Sequence, residues 1–232
     1  MEYKTLREEA FEANMEIARQ KLAKYTWGNA SAFDPDKGVF AIKPSGVPYE
    51  ELKPESMVVI DLTGHTVDST LRPSSDTETH RILYLGFPSI RGICHTHSTY
   101  AVAWAQSRLS VPVLGTTHAD HNTHEIPCTG FMSADAVKHD YELETGNLII
   151  RTFQSRKEDP DITTMVLVAG HGPFTWGESA VHAVYHSAIL EEICKMAYLT
   201  LTINPRTQPL PEYIIHKHWE RKHGAKAYYG QK

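Results

Sequence analysis

The chain has 232 residues and a formal net charge of −5, with 41% hydrophobic and 22% charged residues. This length and composition are those of an ordinary globular domain that buries its own core. The mild acidity gives no reason to expect nucleic acid or an anionic membrane as a partner, and no apolar run approaches the roughly 20 residues that cross a bilayer. Three separated cysteines without a CxxC motif argue against a disulfide framework and favour a cytoplasmic protein.

Apolar periodicity predicts secondary structure along most of the chain. Apolar residues recur at intervals of three and four over residues 3–24, the pattern of a helix with one buried face. Gly28 and Asn29 then favour a turn. Beyond this turn we expect a strand over 38–46 and two strands about a turn within 57–68. A helix should start at Ser75 and end at Pro88, followed by a strand over 91–97 and a helix capped by Ser98. The last predicted elements are a strand over 164–174 and a long, almost wholly buried helix over 178–203. Because strands and helices mix around one core, we expect one α/β domain of helix–sheet–helix type.

Two histidines, His95 and His97, lie one residue apart at the end of an apolar strand. Side chains alternate across a strand, so both imidazoles are expected on one face, within reach of one metal ion. Imidazole suits zinc, and a catalytic zinc usually keeps three protein ligands and one open position. His171 is the best third candidate, because it ends a second apolar strand and has glycine on both sides. The alternative is a pair of hydrogen-bonded core histidines without a metal.

Further histidines have spacings that also occur in metal sites. His182 and His186 are four residues apart on a predicted helix, but no Glu lies between them in the HExxH manner and the helix is expected to be buried. His118, His121 and His124 recur every three residues in a predicted loop. A second metal is one interpretation of this loop, and exposed loop histidines are the simpler one.

Three short segments could together hold a phosphate. Serine hydroxyls lie at the start of a predicted helix, where free N–H groups and the helix dipole favour an anion. The segment KPSG offers a lysine, a hydroxyl and a glycine, and the segment GN offers a glycine and an amide. Both glycines admit a close approach of the ligand. This phosphate cradle consists of Gly28, Asn29, Lys43, Ser45, Gly46, Ser74 and Ser75. Asp76 adds a carboxylate that could reach a metal or act as a base, although each of these residues taken separately is also an ordinary cap or turn residue.

Several longer segments form a joint pattern that covers nearly the whole chain. They include TWGNAS, IKPSGVPYE, RPSSDTETH, GICHTHSTYAVAWAQ, GTTHAD, ETGNLIIRTF, HGPFTWG and RKHGAKAYYGQK. With these segments the sequence resembles the L-ribulose-5-phosphate 4-epimerases of the class II, metal-dependent aldolase superfamily. The last segment separates the epimerases from the aldolases of the same fold.

This resemblance implies the parts of an active site. It implies a zinc ion at the three histidines, for which manganese or cobalt can substitute, with Asp76 at or beside the metal. The phosphate cradle would bind a phosphorylated ketopentose. Asp120 and Tyr229 would carry out the acid–base chemistry, with the order of their roles unassigned.

The same resemblance implies an architecture and an assembly. We expect a single class II aldolase domain over residues 1–232, folded as a three-layer α/β/α sandwich around a mixed, largely antiparallel sheet. The expected assembly is a cyclic homotetramer with active sites between neighbouring subunits. Residues 216–232 would pack at the subunit interface.

The implied reaction inverts C4 of L-ribulose 5-phosphate to give D-xylulose 5-phosphate, a step shared by arabinose and ascorbate catabolism. The C4 hydrogen is not adjacent to the carbonyl, so cleavage and re-formation of the C3–C4 bond is the expected route, with zinc as the Lewis acid. One alternative is an aldolase that releases glycolaldehyde phosphate or a related aldehyde. Another is a zinc-bound sugar-phosphate sensor without catalytic activity.

Two stretches near Asp120 depart from the family pattern. Aromatic residues and a glycine usually follow the HAD segment, whereas this chain has His121-Asn122-Thr123-His124. Gly130 stands where an arginine is usual. Substrate preference and the order of this loop are therefore open on the sequence alone.

Overall fold

The computed structural model describes residues 3–225 and 227–228. Within them the helices are α1 (Lys4–Arg19), α2 (Thr77–Gly86), α3 (Thr99–Ser107), α4 (Thr116–Ala119), α5 (Ala134–His139), α6 (Tyr141–Arg156), α7 (Ala180–Ile203) and α8 (Glu212–His223). The strands are β1 (Asn29–Asp34), β2 (Val39–Ile42), β3 (Val58–Asp61), β4 (Thr66–Asp68), β5 (Gly92–His95), β6 (Met165–Val168) and β7 (Gly172–Gly177). None of the described helices combines the length and the apolar character that a membrane crossing demands.

The strands form a seven-stranded sheet in the order β4-β3-β2-β1-β5-β7-β6. Each neighbouring pair is antiparallel, and a parallel bridge joins Cys128 to Leu167 beside β6. The predicted α/β sandwich is confirmed. Strands β1, β5 and β7 lie side by side in the sheet.

The two faces of the sheet carry side chains of different size. Strand alternation sends Ala41 to the face that packs against α1 and α7, and sends Phe40 to the face that packs against α2 and α6. The first face is rich in alanine, which lets α1 approach the sheet closely. Gly92 in β5 lets α7 approach the sheet in the same way, because a Cβ there would lie 2.3 Å from the backbone of Ala180 at the start of α7.

Several element boundaries differ from the sequence prediction. Helix α1 ends at Arg19, five residues before the predicted end, and α2 begins at Thr77 with Asp76, not Ser75, as its N-cap. Strand β1 was not predicted, since its sequence NASAFD lacks the β-branched residues that signal a strand.

Two larger predictions are also wrong. The predicted strand over 164–174 is a hairpin of β6 and β7, whose turn contains Gly170 at φ +72°. The long helix α7 is not buried all round. Its exposed large apolar side chains are Val181, Tyr185, Met196, Tyr198, Leu199 and Ile203.

Candidate metal centre and active site

Three histidines meet where β5 and β7 lie side by side. His95 is the last residue of β5 and pairs with Phe174 of β7. His97 lies two residues beyond the strand end, and His171 lies in the β6–β7 turn, directly before β7. One ring nitrogen from each of the three lies within 4.8 Å of the others. Antiparallel pairing therefore builds the predicted trio, although His171 belongs to a turn and not to the far end of a strand.

The hydrogen bonds of His95 suit a metal ligand. Its Nδ1 donates to the carbonyl oxygen of Pro173 at 2.8 Å, which leaves Nε2 with a free lone pair. That Nε2 lies 3.1 Å from Nε2 of His97. Two nitrogens bound to one tetrahedral zinc at about 2.0–2.1 Å would stand about 3.3–3.4 Å apart. The donor set and its spacing thus fit a zinc ion.

The surroundings of the trio hold the rings in place and lower the pKa of two of them. The ring of His95 stacks on Phe174 with centroids 4.2 Å apart, and the ring of Tyr141 lies beside His171. Burial, followed by the neighbouring His95, lowers the pKa of His171 to about 4. Partial desolvation also lowers the pKa of His97, although part of this side chain is exposed. Neutral imidazole is the form that binds a metal, so the lowered pKa values of His97 and His171 favour metal binding at neutral pH.

Asp76 lies next to the trio at the start of α2. Its Oδ2 accepts a hydrogen bond of 2.6 Å from Nδ2 of Asn29, a residue that pairs with His95 across β1 and β5. Burial by itself raises the pKa of this carboxyl, but His95, His80, Asn29 and His171 together hold it below its usual range. Asp76 is therefore a carboxylate that faces the histidines.

Main-chain hydrogen bonds bring the segments of the phosphate cradle together. The N–H of Ser74 donates to the carbonyl of Lys43, and the N–H of Ser45 donates to the carbonyl of Arg72, both at 3.0 Å. Asn29 Nδ2 also lies 3.0 Å from Ser74 Oγ. The hydroxyl-bearing residues Ser45 and Ser75 are exposed. The three predicted segments thus form one surface beside Asp76.

Two cradle glycines have positive φ. Gly28 has φ +73°, and a Cβ there would lie 2.8 Å from the carbonyl oxygen of His95. Gly46 has φ +71° with open space where its Cβ would be. Glycine is needed at both positions for backbone conformation, and at Gly28 also for the close approach to the metal-site strand.

Lys43 is the cation of this surface. It is almost fully buried at 2% exposure, and its Nζ donates to the carbonyl of Thr26 at 3.3 Å and lies 5.0 Å from the centre of the Tyr49 ring. Burial lowers its pKa to about 8. Among the described residues no carboxylate lies within ion-pair distance of it. A buried ammonium group without an anionic partner suits an anionic ligand.

Asp120 lies in a different part of the chain, at the end of α4. Arg221 of α8 donates to both of its carboxylate oxygens, at 2.8 and 2.5 Å, and His218 Nδ1 lies 3.0 Å from Oδ1. Burial alone raises its pKa, but these two partners hold it below its usual range. The described contacts of Asp120 are with α8 and not with the metal trio. Tyr229 lies outside the described residues.

The side chains that contact Asp120 were not predicted from the sequence. Arg221 and His218 stand about 100 positions away from it in the chain, and only the fold brings α8 onto α4. The only sequence signal was the RKHGAKAYYGQK segment, which contains Arg221. The loop histidines also differ from expectation. His118 is buried, and its Nε2 donates to the carbonyl of His124 at 3.0 Å, so it supports the loop from inside.

The chain is similar in sequence to curated L-ribulose-5-phosphate 4-epimerases. The chain is 48% identical over 227 residues to the L-ribulose-5-phosphate 4-epimerase UlaF of Salmonella paratyphi C (strain RKS4594), a match that covers 98% of this chain and 99% of that protein. The protein of the same name from Salmonella choleraesuis (strain SC-B67) matches to the same extent.

Solved structures of similar fold include sugar-phosphate aldolases. An L-fuculose 1-phosphate aldolase superposes with a TM-score of 0.78 at 24% identity, over 94% of this chain and 95% of that one. The L-fuculose 1-phosphate aldolase from Glaciozyma antarctica PI12 gives 0.77 at 18% identity, over 97% and 84%. At these identities the likeness shows the fold alone. Residues 8–198 match the class II aldolase and adducin N-terminal domain, and the chain belongs to that family.

Proposed function

We propose that this protein is a zinc-dependent L-ribulose-5-phosphate 4-epimerase, which inverts C4 to give D-xylulose 5-phosphate. The observation that carries the proposal is the trio of ring nitrogens within 4.8 Å of one another. It is joined by the buried Lys43, which has no carboxylate within ion-pair distance among the described residues. The trio supports metal chemistry and the lysine supports a phosphorylated substrate. Identity of 48% to curated 4-epimerases over nearly the full chain supports this reaction within the family.

The substrate determines which chemistry is needed. The C4 hydrogen of a 2-ketopentose is not adjacent to the carbonyl, so direct removal of that proton would leave an unstabilised carbanion. Cleavage of the C3–C4 bond avoids this, because the electrons pass to the C2 carbonyl. A zinc ion held by His95, His97 and His171, with Asp76 beside it, would supply a Lewis acid for the C2 and C3 oxygens. Manganese or cobalt could take its place.

The phosphate cradle would hold glycolaldehyde phosphate, the fragment that must rotate before the bond forms again. We assign the phosphate of glycolaldehyde phosphate to Lys43 and Asn29, with the hydroxyls of Ser45, Ser74 and Ser75. Gly28 and Gly46 let the backbone approach it. Anchored by its phosphate, the aldehyde can rotate and present its other face before the C3–C4 bond forms again. The cradle would thus keep the fragment in the site until the bond forms again.

Two acid–base groups complete the proposal. One must take the proton of the C4 hydroxyl during cleavage, and another must return a proton on the opposite face. We assign these roles to Asp120 and Tyr229, in an order that remains to be measured. The lowered pKa of Asp120 keeps this carboxylate ionised at neutral pH, which is the form that a general base requires.

The assembly follows from these assignments. We propose a single domain over residues 1–232 that forms a homotetramer, with residues 216–232 at the interface and Tyr229 delivered to the neighbouring subunit's metal site. The ion pair between Arg221 and Asp120 supports this arrangement. It joins the proposed acid–base residue at the end of α4 to α8, the helix that leads to the C-terminal segment.

Product analysis tests the proposal. The metal-loaded protein is incubated with L-ribulose 5-phosphate, and D-xylulose 5-phosphate and glycolaldehyde phosphate are both measured. The epimerase produces the first without accumulating the second. Glycolaldehyde phosphate as the main product would make the protein an aldolase, and absence of both products would leave a non-catalytic binding protein. His97→Ala serves as the control for contaminating activity.

A further inference from the structure

A second group of histidines lines a cavity of about 320 Å³ between α7, α8 and the loop after α4. The potential ligands in its wall are Asp161, Glu178 and the histidines His121, His182, His186 and His223. The cavity includes Trp176 and Gly177, which end β7, whereas His171 precedes the start of that strand. Six strand residues separate the two places by roughly 17–20 Å. The cavity is therefore distinct from the metal trio of the same chain.

His182 and His186 form a preassembled pair on consecutive turns of α7. Their ring centroids lie 4.5 Å apart, with ring planes inclined by 35°. His186 Nδ1 donates to the carbonyl oxygen of Trp176 at 2.7 Å, which leaves its Nε2 with a free lone pair. A metal-bound histidine typically makes this hydrogen bond. His182 Nδ1 is shielded from solvent and makes no hydrogen bond, and Glu178 Oε1 lies 3.6 Å from it.

His121 faces this pair from the loop after α4. Burial, followed by repulsion from Lys222 and His186, lowers its pKa to about 4. Burial likewise lowers the pKa of His186 to about 4, with His182 adding to the effect. Both imidazoles are therefore neutral at neutral pH. The Nε2 of His121 accepts a long hydrogen bond of 3.3 Å from Lys222, which a rotation of either side chain would release.

We propose that this cavity is a second metal site, specific for a divalent first-row transition ion such as Zn²⁺, with His182 and His186 as its primary ligands and His121 as the third. Two imidazoles at i and i+4 on a helix are a known chelating pair, and imidazole favours zinc, nickel and copper over the oxygen-seeking Mg²⁺ and Ca²⁺. In the described conformation the nitrogens converge less closely than those of the metal trio, so this site binds more weakly and closes by rotation of His121.

A bound ion would join α7 to the loop after α4, which contact each other through the rings of Tyr185 and His121. His121 follows Asp120 directly, and His223 of the cavity wall donates to the carbonyl of Asp120 at 3.0 Å. The ion would therefore fix α7 to the loop that carries Asp120. Because it binds the folded chain, it should also raise the thermal unfolding temperature.

Metal content measured by equilibrium dialysis against Zn²⁺ tests the proposal on the full chain. The parent should bind about two ions per chain, with the second at least ~10-fold weaker than the first. The variant with His182→Gln and His186→Gln should lose only the weaker ion, and His97→Ala should lose only the tighter one. His124→Gln, on the same loop but outside the cavity, should keep both. Two ions in the double variant would overturn the proposal.

Copper spectroscopy provides a test that does not depend on how the double variant folds. Cu²⁺ is added to the stripped His97→Ala protein, and its electron paramagnetic resonance spectrum is recorded. Coupling to two or three nitrogens supports the site, and its loss in His97→Ala combined with His182→Gln supports the ligand assignment. A spectrum of oxygen ligands alone would contradict the proposal. So would Mg²⁺ raising the unfolding temperature of the parent as much as Zn²⁺ does.

Discussion

The metal trio and the surroundings of Asp120 are built in different ways. Adjacent antiparallel strands hold His95 and set the turn that carries His171, so main-chain hydrogen bonds determine the spacing of the ligands. Asp120 instead depends on side chains of α8, from a part of the chain about 100 residues away. The first arrangement needs only the sheet. The second depends on the position of α8, which agrees with the proposed role of Asp120 in proton transfer.

Removing a ligand from the trio should have the largest effect. His97→Ala should lose its metal, and epimerisation should fall by at least ~10³-fold, because a Lewis acid contributes several kcal/mol to such a reaction. The fold should survive, since His97 is exposed and lies beyond the end of β5. Metal analysis, circular dichroism and activity measure these effects, with the exposed His65→Ala as the matched control. If His97→Ala kept its full content of tightly bound metal, His97 would not be a ligand.

Tyr229→Phe tests the proposed acid–base role of this residue. It should leave metal content and assembly intact and slow epimerisation by ~10²-fold or more, the range of a lost acid–base group. The neighbouring Tyr228→Phe should change the rate far less, because the ring of Tyr228 lies against Lys217 on the surface of α8.

Mixed tetramers show which subunit Tyr229 serves. Chains with Tyr229→Phe and chains with His97→Ala are combined, each inactive alone. If the site is shared between subunits, some interfaces pair an intact metal trio with an intact tyrosine, and activity partly returns. No recovery in verified mixed tetramers would contradict the shared site.

Substitutions in the phosphate cradle should act on substrate affinity. Lys43→Met and Ser75→Ala each remove a hydrogen bond to a charged group, worth roughly 1.5–3 kcal/mol, and should raise KM by roughly 10- to 150-fold with metal content unchanged. Lys53→Met, at an exposed lysine, is the control. Turnover of unphosphorylated L-ribulose as fast as its phosphate would show that the cradle is not a phosphate site.

Lys43 also gives a pH signature. Its pKa of about 8 in the free protein means that the ammonium loses its charge as the pH rises through that value. Therefore kcat/KM for the phosphorylated sugar should fall above about pH 8, and this limb should be absent in Lys43→Met. An unchanged alkaline limb in that variant would assign the titration to another group.

The smallest expected effect is a shift in the acid limb of the pH profile. Arg221 helps hold the pKa of Asp120 below its usual range, against the effect of burial. Arg221→Gln should therefore raise that pKa, so the loss of activity on acidification should begin at a higher pH. The exposed Arg206→Gln should leave the profile unchanged. If the acid limb does not move in Arg221→Gln, the ionisation of Asp120 does not control it.

The sequence predicted those parts of the site that depend on local pattern. Strand alternation placed His95 correctly. The glycines on both sides of His171 indicated that other groups approach its backbone closely, although they belong to a hairpin turn and not to a strand end. The cradle residues were recognisable from turn and cap chemistry. Strand β1 was missed because tertiary packing, not β-propensity, makes NASAFD a strand. The partners of Asp120 and the meeting of His121 with His186 depend on contacts between distant segments, which no local pattern contains.

A zinc titration of activity tests the central assignment most directly. The variant with His182→Gln and His186→Gln is stripped of metal, and the conversion of L-ribulose 5-phosphate to D-xylulose 5-phosphate is measured as Zn²⁺ is added. The stripped protein should be inactive, and the rate should rise linearly to a plateau at about one equivalent of zinc per chain, whereas the same protein with His97→Ala should stay inactive throughout. Full activity without metal, or recovery of activity in the His97→Ala protein, would contradict the assignment of the three histidines.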